Sequence, residues 1–377
     1  MFNCTETFCP QINDYVGSST GELFIPREML GNISVFEGNE THSHQIPIIY
    51  IDPGFNLFCS ILIIIISLFG IAANILSFYI FAFVYKKTSI NVLLAGLAAF
   101  DGLVCVIGGT VFAPLGMYSY RESLPLTVTI SYMAVYLYPF ALCAHLASVW
   151  TLVAITVERC IAVAFPLNAK RWLRARRANL VLLLIAVTSF LFNVVRFWEY
   201  KLVSFGDLKI SIPYLKGSKT YQLLYSFWAY LLAVFAVPFG LLTILSCVII
   251  CSIRKARKSR LRLSGRRLNE QKTATMLTIV TFIFLICNTP ALLLHLVEAH
   301  ISSTEFAHSV LIHLLVDVCN IFVLLNSAAN CIIYFFFCRK YNTVLKRLLS
   351  RTFPRRSLRH RYTITDTVSH KDTAIAE

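Results

Sequence analysis

Charge is what this 377-residue chain is shortest of: 14% of its residues are Asp, Glu, Lys or Arg, against about 25% in an average soluble domain. Acids are scarcer than bases, nineteen against thirty-four, which leaves a formal net charge of +15. With 57% hydrophobic residues and a mean hydropathy of +0.69, the shortage excludes a disordered chain and argues against an ordinary soluble globule. A basic balance can signal nucleic acid. Here the bases are segregated by long apolar runs, which reads as membrane topology and no nucleic-acid partner. No His, Cys and Asp set has metal or nucleophile spacing, so nothing points to an enzyme. No internal repeat of the kind many transporters carry is visible. Of twelve cysteines, only Cys4 and Cys9 lie in a plainly polar segment. The others read as thiols buried in apolar runs rather than as a disulfide scaffold. No cleavable signal is visible at the N-terminus, so the first apolar run is expected to serve as the insertion signal.

What is present is seven apolar runs, over about 56–84, 90–117, 127–157, 178–198, 221–253, 273–299 and 308–337. Each reaches the ~20 residues that a helix needs to cross a ~30 Å hydrocarbon core. The third is the cleanest: Val128 to Val157 contains no formal charge and a single His. Thirty helical residues would extend about 45 Å, so this span is expected to tilt. The runs lack the period-2 alternation of a barrel, and open sheets cannot span lipid. The fold class is therefore an all-α seven-helix membrane bundle.

Lys and Arg in the connections give the orientation. The segment before helix 1 holds only Arg27 against seven acids, and the 6–7 loop has no base. The 1–2 loop has Lys86 and Lys87, the 3–4 loop runs from Lys170 to Arg177 with five bases, and the 5–6 loop has nine between Arg254 and Lys272. The 4–5 loop, with four Lys, is the one noisy outer segment. The N-terminus is expected outside and the C-terminus in the cytosol. Glycosylation sequons at Asn3, Asn32 and Asn39 agree with this. The chain divides into an extracellular glycosylated segment (1–55), the seven-helix domain (56–337), a short amphipathic helix on the inner leaflet (338–350) and a disordered cytoplasmic tail (351–377).

Polar residues inside these helices are costly and need a reason. Asp101 in helix 2, Ser148 in helix 3, and Asn326 and Asn330 in helix 7 suit an oxygen-rich site for a small cation or waters. They suit a purely structural hydrogen-bond network equally well. Glu158-Arg159 at the inner end of helix 3 reads, on spacing alone, as an adjacent ion pair with Arg159 snorkelling to the interface. Pro139, Pro238 and Pro290 each free a backbone carbonyl and favour a kink in helices 3, 5 and 6. At the outer ends lie Arg196, Glu199, Glu298 and Asp317, with His295 one turn deeper. Tyr138, Ala141, Leu142 and His145 share a face of helix 3. Singly, these acids read as hydrated interface residues and Tyr138 as an interface anchor. As a cluster they read as the aromatic, half-apolar mouth of a ligand site.

Several elements in order resemble the rhodopsin-like G-protein-coupled receptors, over about 55–350. These are Asn74 in GIAANIL, Asp101 in LAAFD, Glu158-Arg159-Cys160 followed by Pro166-Leu167, Pro238, the Phe284-Cys287-Pro290 set, and Asn330-Cys331-Ile332-Ile333-Tyr334. The departures are equally definite. Ala134 stands where helix 3 usually has its outer Cys, and the 4–5 loop lacks the partner Cys, so the disulfide tying that loop is absent. Asn288 replaces the usual Trp of helix 6, Cys331 the usual Pro of helix 7, and helix 4 lacks its Trp. Tyr138-Pro139-Phe140, Ala147-Ser148-Val149-Trp150-Thr151, Arg196-Phe197-Trp198-Glu199 and Cys287-Asn288-Thr289-Pro290 resemble the invertebrate FMRFamide-receptor-like neuropeptide receptors.

The resemblance implies a receptor for a short extracellular amidated peptide, often ending in Arg-Phe-amide, that activates a heterotrimeric G protein. In that reading Glu158, Arg159, Pro166 and Leu167 form the G-protein end. Phe284, Asn288, Pro290, Pro238, Asn330 and Tyr334 form the activation switch. Asp101, Ser148 and Asn330 hold a sodium ion, with Asn326 a further oxygen donor. The ligand residues are Glu199, Glu298, Asp317, Tyr138, Leu142, His145 and His295. Glu199 is favoured as partner of a peptide guanidinium, with Arg196, about one helical turn away, as the competing partner for its charge. Arrestin and a receptor kinase are further expected partners. A transporter or channel would want paired intramembrane charges, and only one isolated aspartate is present. A retinal opsin needs a Lys in helix 7, and an amine receptor an Asp where Ala141 stands; both are disfavoured.

Overall fold

The computed structural model describes residues 53–120, 123–165, 169, 172–205, 208–258, 265–298 and 310–352. The sequons, Cys4, Cys9, Pro166, Leu167 and the tail beyond 352 lie outside the described residues. Seven helices are long and apolar enough to cross a membrane: α1 (Gly54–Val84), α2 (Ser89–Tyr120), α3 (Leu124–Ala164), α4 (Ala175–Trp198), α5 (Lys219–Lys255), α6 (Gly265–Glu298) and α7 (Val310–Phe337). An eighth helix, α8 (Arg339–Thr352), follows α7. It buries Tyr341 and Leu345 and leaves Lys346 and Arg347 exposed, which is the amphipathic division read from the sequence.

The helices close into a ring in which α1 packs on α2 and α7, and α7 on α6. The third helix runs through the middle, against α2, α4, α5 and α6. Its central stretch buries small side chains, among them Ala141, Ala144, Ala147 and Ser148, which let its neighbours come close. Small residues permit the tightest approaches. A Cβ on Gly96 would meet Leu182 Cδ2 at 2.5 Å, and one on Gly70 would meet Cys105 Sγ at 2.5 Å.

Three helices are locally wider than an α-helix. α1 ends in a π-helical turn at Ile80–Val84, α3 carries one at Met133–Leu137, and α5 carries two, Gln222–Ala229 and Leu231–Ala236. Two of these segments stop just before a proline, Pro139 and Pro238, where the missing N–H has already broken the α pattern. Pro290 does not act this way: α6 runs unbroken through it.

The 4–5 connection is a β-hairpin, which the sequence reading did not anticipate. β1 (Tyr200–Phe205) and β2 (Leu208–Pro213) pair antiparallel from Tyr200↔Pro213 to Phe205↔Leu208. β2 packs on the first turns of α3 and buries Ile210, Ser211 and Ile212.

Candidate functional site

Four clusters occupy the bundle axis, and each is assembled from helices remote in sequence. At the basic end, Arg159 Nη2 meets Glu158 Oε1 at 2.8 Å, with both side chains buried. The other carboxylate oxygen, Oε2, accepts a hydrogen bond from Ser89 Oγ at 2.7 Å. The adjacent pair expected from spacing is thus present, and its charge is also tied to α2. Arg159 Nε has no hydrogen-bond partner among the described residues.

One level further in, Asp101 is fully buried. Ser148 Oγ donates to Oδ1 at 2.6 Å and Asn330 Nδ2 to Oδ2 at 2.7 Å. Three of the four residues grouped from sequence therefore meet. Asn326 makes no hydrogen bond to Asp101 among the described residues. Asn74, in α1, donates to the Ser327 carbonyl at 3.0 Å and so joins α1 to the same region of α7.

Between these two levels the α7 switch packs on α8. Tyr334 is buried edge-on against Phe81, with ring centroids 5.3 Å apart, and beside Tyr341. Tyr341 Oη lies 2.8 Å from Ser77 Oγ and 3.3 Å from Cys331 Sγ. Cys331, which replaces the expected proline, therefore contributes a thiol that contacts α8. On α6, Asn288 Nδ2 donates to the Phe284 carbonyl at 2.9 Å, inside its own helix. The Phe284 ring packs edge-on against Phe239 of α5, 5.7 Å away. Pro238 is buried beside it.

The outer cluster is built on a buried ion pair. Arg196 Nη1 meets Glu199 Oε1 at 2.7 Å, across the 3-10 turn Val194–Trp198 and the residue after it. Tyr221 Oη donates to the same oxygen at 2.9 Å. The Glu199 carbonyl accepts the Tyr214 and Lys216 amides at 2.8 and 3.4 Å, closing the base of the hairpin. The Arg196 guanidinium lies over the rings of Tyr225 and Tyr230, 5.2 and 4.9 Å from their centroids. Such stacking is attractive and strongest when desolvated. Tyr230 in turn packs on His295 of α6, which stacks on Phe227 at 5.3 Å.

The carboxylate favoured from sequence for a ligand's guanidinium is thus not vacant. Arg196 occupies it, and the physical reason is that a buried acid at a helix end needs a cation and donors of its own. Tyr138 is half-buried beside this pair, and Leu142 and His145 are half-buried below it on α3. Asp317 is half-buried on α7, near Cys59 of α1, and Glu298 ends α6. Those two acids are therefore on helices other than the one that carries the paired carboxylate. Sequence reasoning missed Trp150, Tyr221, Tyr225 and Tyr230. Trp150 was visible only as part of a signature, and its indole Nε1 donates to the Ala233 carbonyl at 3.1 Å.

A family model described as serpentine type 7TM GPCR chemoreceptor Srw matches residues 61–352. The chain belongs to that family of seven-helix G-protein-coupled receptors, which are signalling proteins and not enzymes. It is 34% identical over 297 residues to the FMRFamide peptide receptor frpr-18 of Caenorhabditis elegans, covering 77% of this chain and 68% of that one. It is 29% identical over 310 residues to the FMRFamide receptor of Drosophila melanogaster, covering 78% of this chain but only 55% of that relative's length. A weaker similarity, 24% over 294 residues, reaches the neuromedin-U receptor 2 of Rattus norvegicus, with 73% of this chain and 70% of that one covered.

Proposed function

We propose that the chain is a receptor for a short extracellular amidated peptide of the Phe-Met-Arg-Phe-amide type, and that it signals through a heterotrimeric G protein. The observation that carries this reading is the 34% identity to an FMRFamide peptide receptor over 77% of the chain. The aromatic outer cluster supports it, because rings that hold one cation between them also suit an aromatic peptide end. In this reading the hairpin end faces outward and the base-rich end lies in the cytosol, as the positive-inside pattern favours. The sequons at Asn3, Asn32 and Asn39 would then carry glycans.

The agonist acts by binding the active bundle better than the resting one, which shifts a pre-existing equilibrium. In the resting arrangement Glu158, itself tied to Ser89, holds Arg159. Activation frees Arg159 to contact the C-terminal helix of a Gα subunit, with Pro166, Leu167 and the basic 5–6 loop at the edge of the cleft. Arrestin and a receptor kinase would use the same face and the tail, while α8 rests on inner-leaflet lipid. The Asp101 set fits a sodium ion in kind. It offers a carboxylate, the Ser148 hydroxyl and the Asn330 amide, whose oxygen can turn inward since N and O are interchangeable by a flip.

The test is a screen of amidated peptides on cells expressing the chain with a promiscuous Gα. A response to Arg-Phe-amide peptides supports the reading. Failure of every amidated peptide, with the chain at the surface, would exclude it. Purified protein that catalyses guanine-nucleotide exchange excludes the transporter alternative.

A further inference from the structure

The sequence directs attention to Glu199, yet the atoms left unsatisfied belong to its partner. Glu199 Oε1 already accepts two donors. A ligand guanidinium there would have to share one carboxylate with Arg196 and Tyr221, with two like charges side by side. The rim adds to this repulsion, since Lys201, Lys209 and Lys219 are exposed on the hairpin and at the start of α5. Arg196, by contrast, has five N–H donors to place. One meets Glu199, the guanidinium also reaches the Tyr225 hydroxyl, and Nε is buried with no hydrogen-bond partner among the described residues. The residue as a whole is only 7% exposed. An unmet donor on a buried charged group is expensive, so an oxygen that reaches it binds with more than the usual gain.

We propose that Arg196, and not Glu199, is the ligand-facing member of the pair, donating to the carbonyl oxygen of the peptide's C-terminal carboxamide. Glu199 and Tyr221 are the positioning residues that fix the guanidinium. The inference rests on the reading of the ligand as an amidated peptide. A carboxamide oxygen is a neutral acceptor, so it meets the donor without opposing the lysine rim or displacing Glu199. The terminal aromatic ring then has the half-buried Tyr138 and Tyr230 to pack on. Water does not compete for the donor, because Nε is sealed. An oxygen bound there alters the contact of the guanidinium with the Tyr230 ring, and Tyr230 rests on His295 of α6. Occupation of Arg196 therefore acts on the α5–α6 contact that leads through Phe235 and Phe239 to Phe284.

The experiment compares two probes on cells expressing the full chain: Phe-Met-Arg-Phe-amide, and the same peptide with its last residue replaced by phenethylamine, which lacks the carboxamide. A hydrogen bond to a charged donor corresponds to about 10- to 150-fold in affinity. The wild type should prefer the amide by that order, and Arg196→Gln should narrow the preference to within about threefold. Arg196→Lys keeps the ion pair but loses Nε. It should narrow the preference in the same way at normal surface level, which removes misfolding as the cause. The exchanged pair, Arg196→Glu with Glu199→Arg, should recover surface level without recovering the preference. A wild-type preference in Arg196→Lys, or its return in the exchanged pair, overturns the proposal and leaves the ligand class standing. A wild type silent to every amidated peptide overturns both.

Discussion

Trp150 on α3 hydrogen-bonds the carbonyl of Ala233 on α5, and that carbonyl lies five residues before Pro238. In a π-helical segment the carbonyl of residue i pairs with the amide of residue i+5. The partner of Ala233 would therefore be the amide that proline lacks. The indole supplies the missing donor from another helix. Two residues that stand 83 positions apart in the sequence thus solve a single backbone problem.

Trp150→Phe should then cost about 1–3 kcal/mol for the unsatisfied carbonyl, beyond any packing loss. In the Trp150→Phe background, Pro238→Ala should restore part of that loss, because an amide returns to the segment. Thermal unfolding of the four proteins of the cycle in detergent measures the coupling. Strictly additive midpoint shifts would show that the bond carries no energy.

Breaking the Arg196–Glu199 pair from either side strands a buried charge, which costs about 3–5 kcal/mol. Glu199→Ala and Arg196→Ala should each lower surface level and detergent stability sharply, whereas Tyr221→Phe should cost about 1 kcal/mol. No cysteine lies between residues 199 and 220. A membrane-impermeant reductant should therefore leave the hairpin and the peptide response intact. A loss of response under reductant, with surface level constant, would show that some disulfide does hold this region.

At the inner end, Arg159→Ala should abolish peptide-stimulated nucleotide exchange while surface expression and peptide binding largely persist. Ser89→Ala should do the opposite to basal exchange and raise it, because Glu158 loses its tie to α2. Basal rates at matched surface level decide the matter. Normal exchange by Arg159→Ala would remove Arg159 from the mechanism.

Replacing sodium by a large organic cation at constant ionic strength should raise agonist affinity in the wild type. Asp101→Asn should abolish that sensitivity. Equal responses of the two proteins would leave Asp101 as a structural hydrogen-bond acceptor for Ser148 and Asn330.

The spans were legible because hydrocarbon imposes a length and a composition on any helix that crosses it. The predicted 178–198 and the observed Ala175–Trp198 differ only by Ala175, Arg176 and Arg177 at the basic end. The inner sites were legible for a related reason. A carboxylate at Asp101, mid-span, has few partners within reach, so naming Ser148 and Asn330 required little more than helix order. The outer cluster was harder. Tyr221, Tyr225 and Tyr230 look like ordinary interface tyrosines, and their convergence on the Arg196–Glu199 pair lies along a widened α5 that hydropathy does not reveal. The hairpin was hidden by its lysines, which made Lys201–Lys219 look like a plain polar loop.

The widening of α5 also sets what length changes the chain can absorb. Each π-helical turn holds one residue more than the α turn it replaces. The outer half, Gln222–Ala236, therefore carries slack that the α-helical stretch Val237–Lys258 does not. One residue can be lost there by relaxing a wide turn to a normal one, and the inner half keeps its angular phase, with Ile249 and Ile253 still facing Cys160. The same deletion after Pro238 would rotate every following side chain by about 100° and turn the buried stripe of α5 toward lipid. The hairpin half of α5 can thereby vary in length, while the basic half keeps its register against α3.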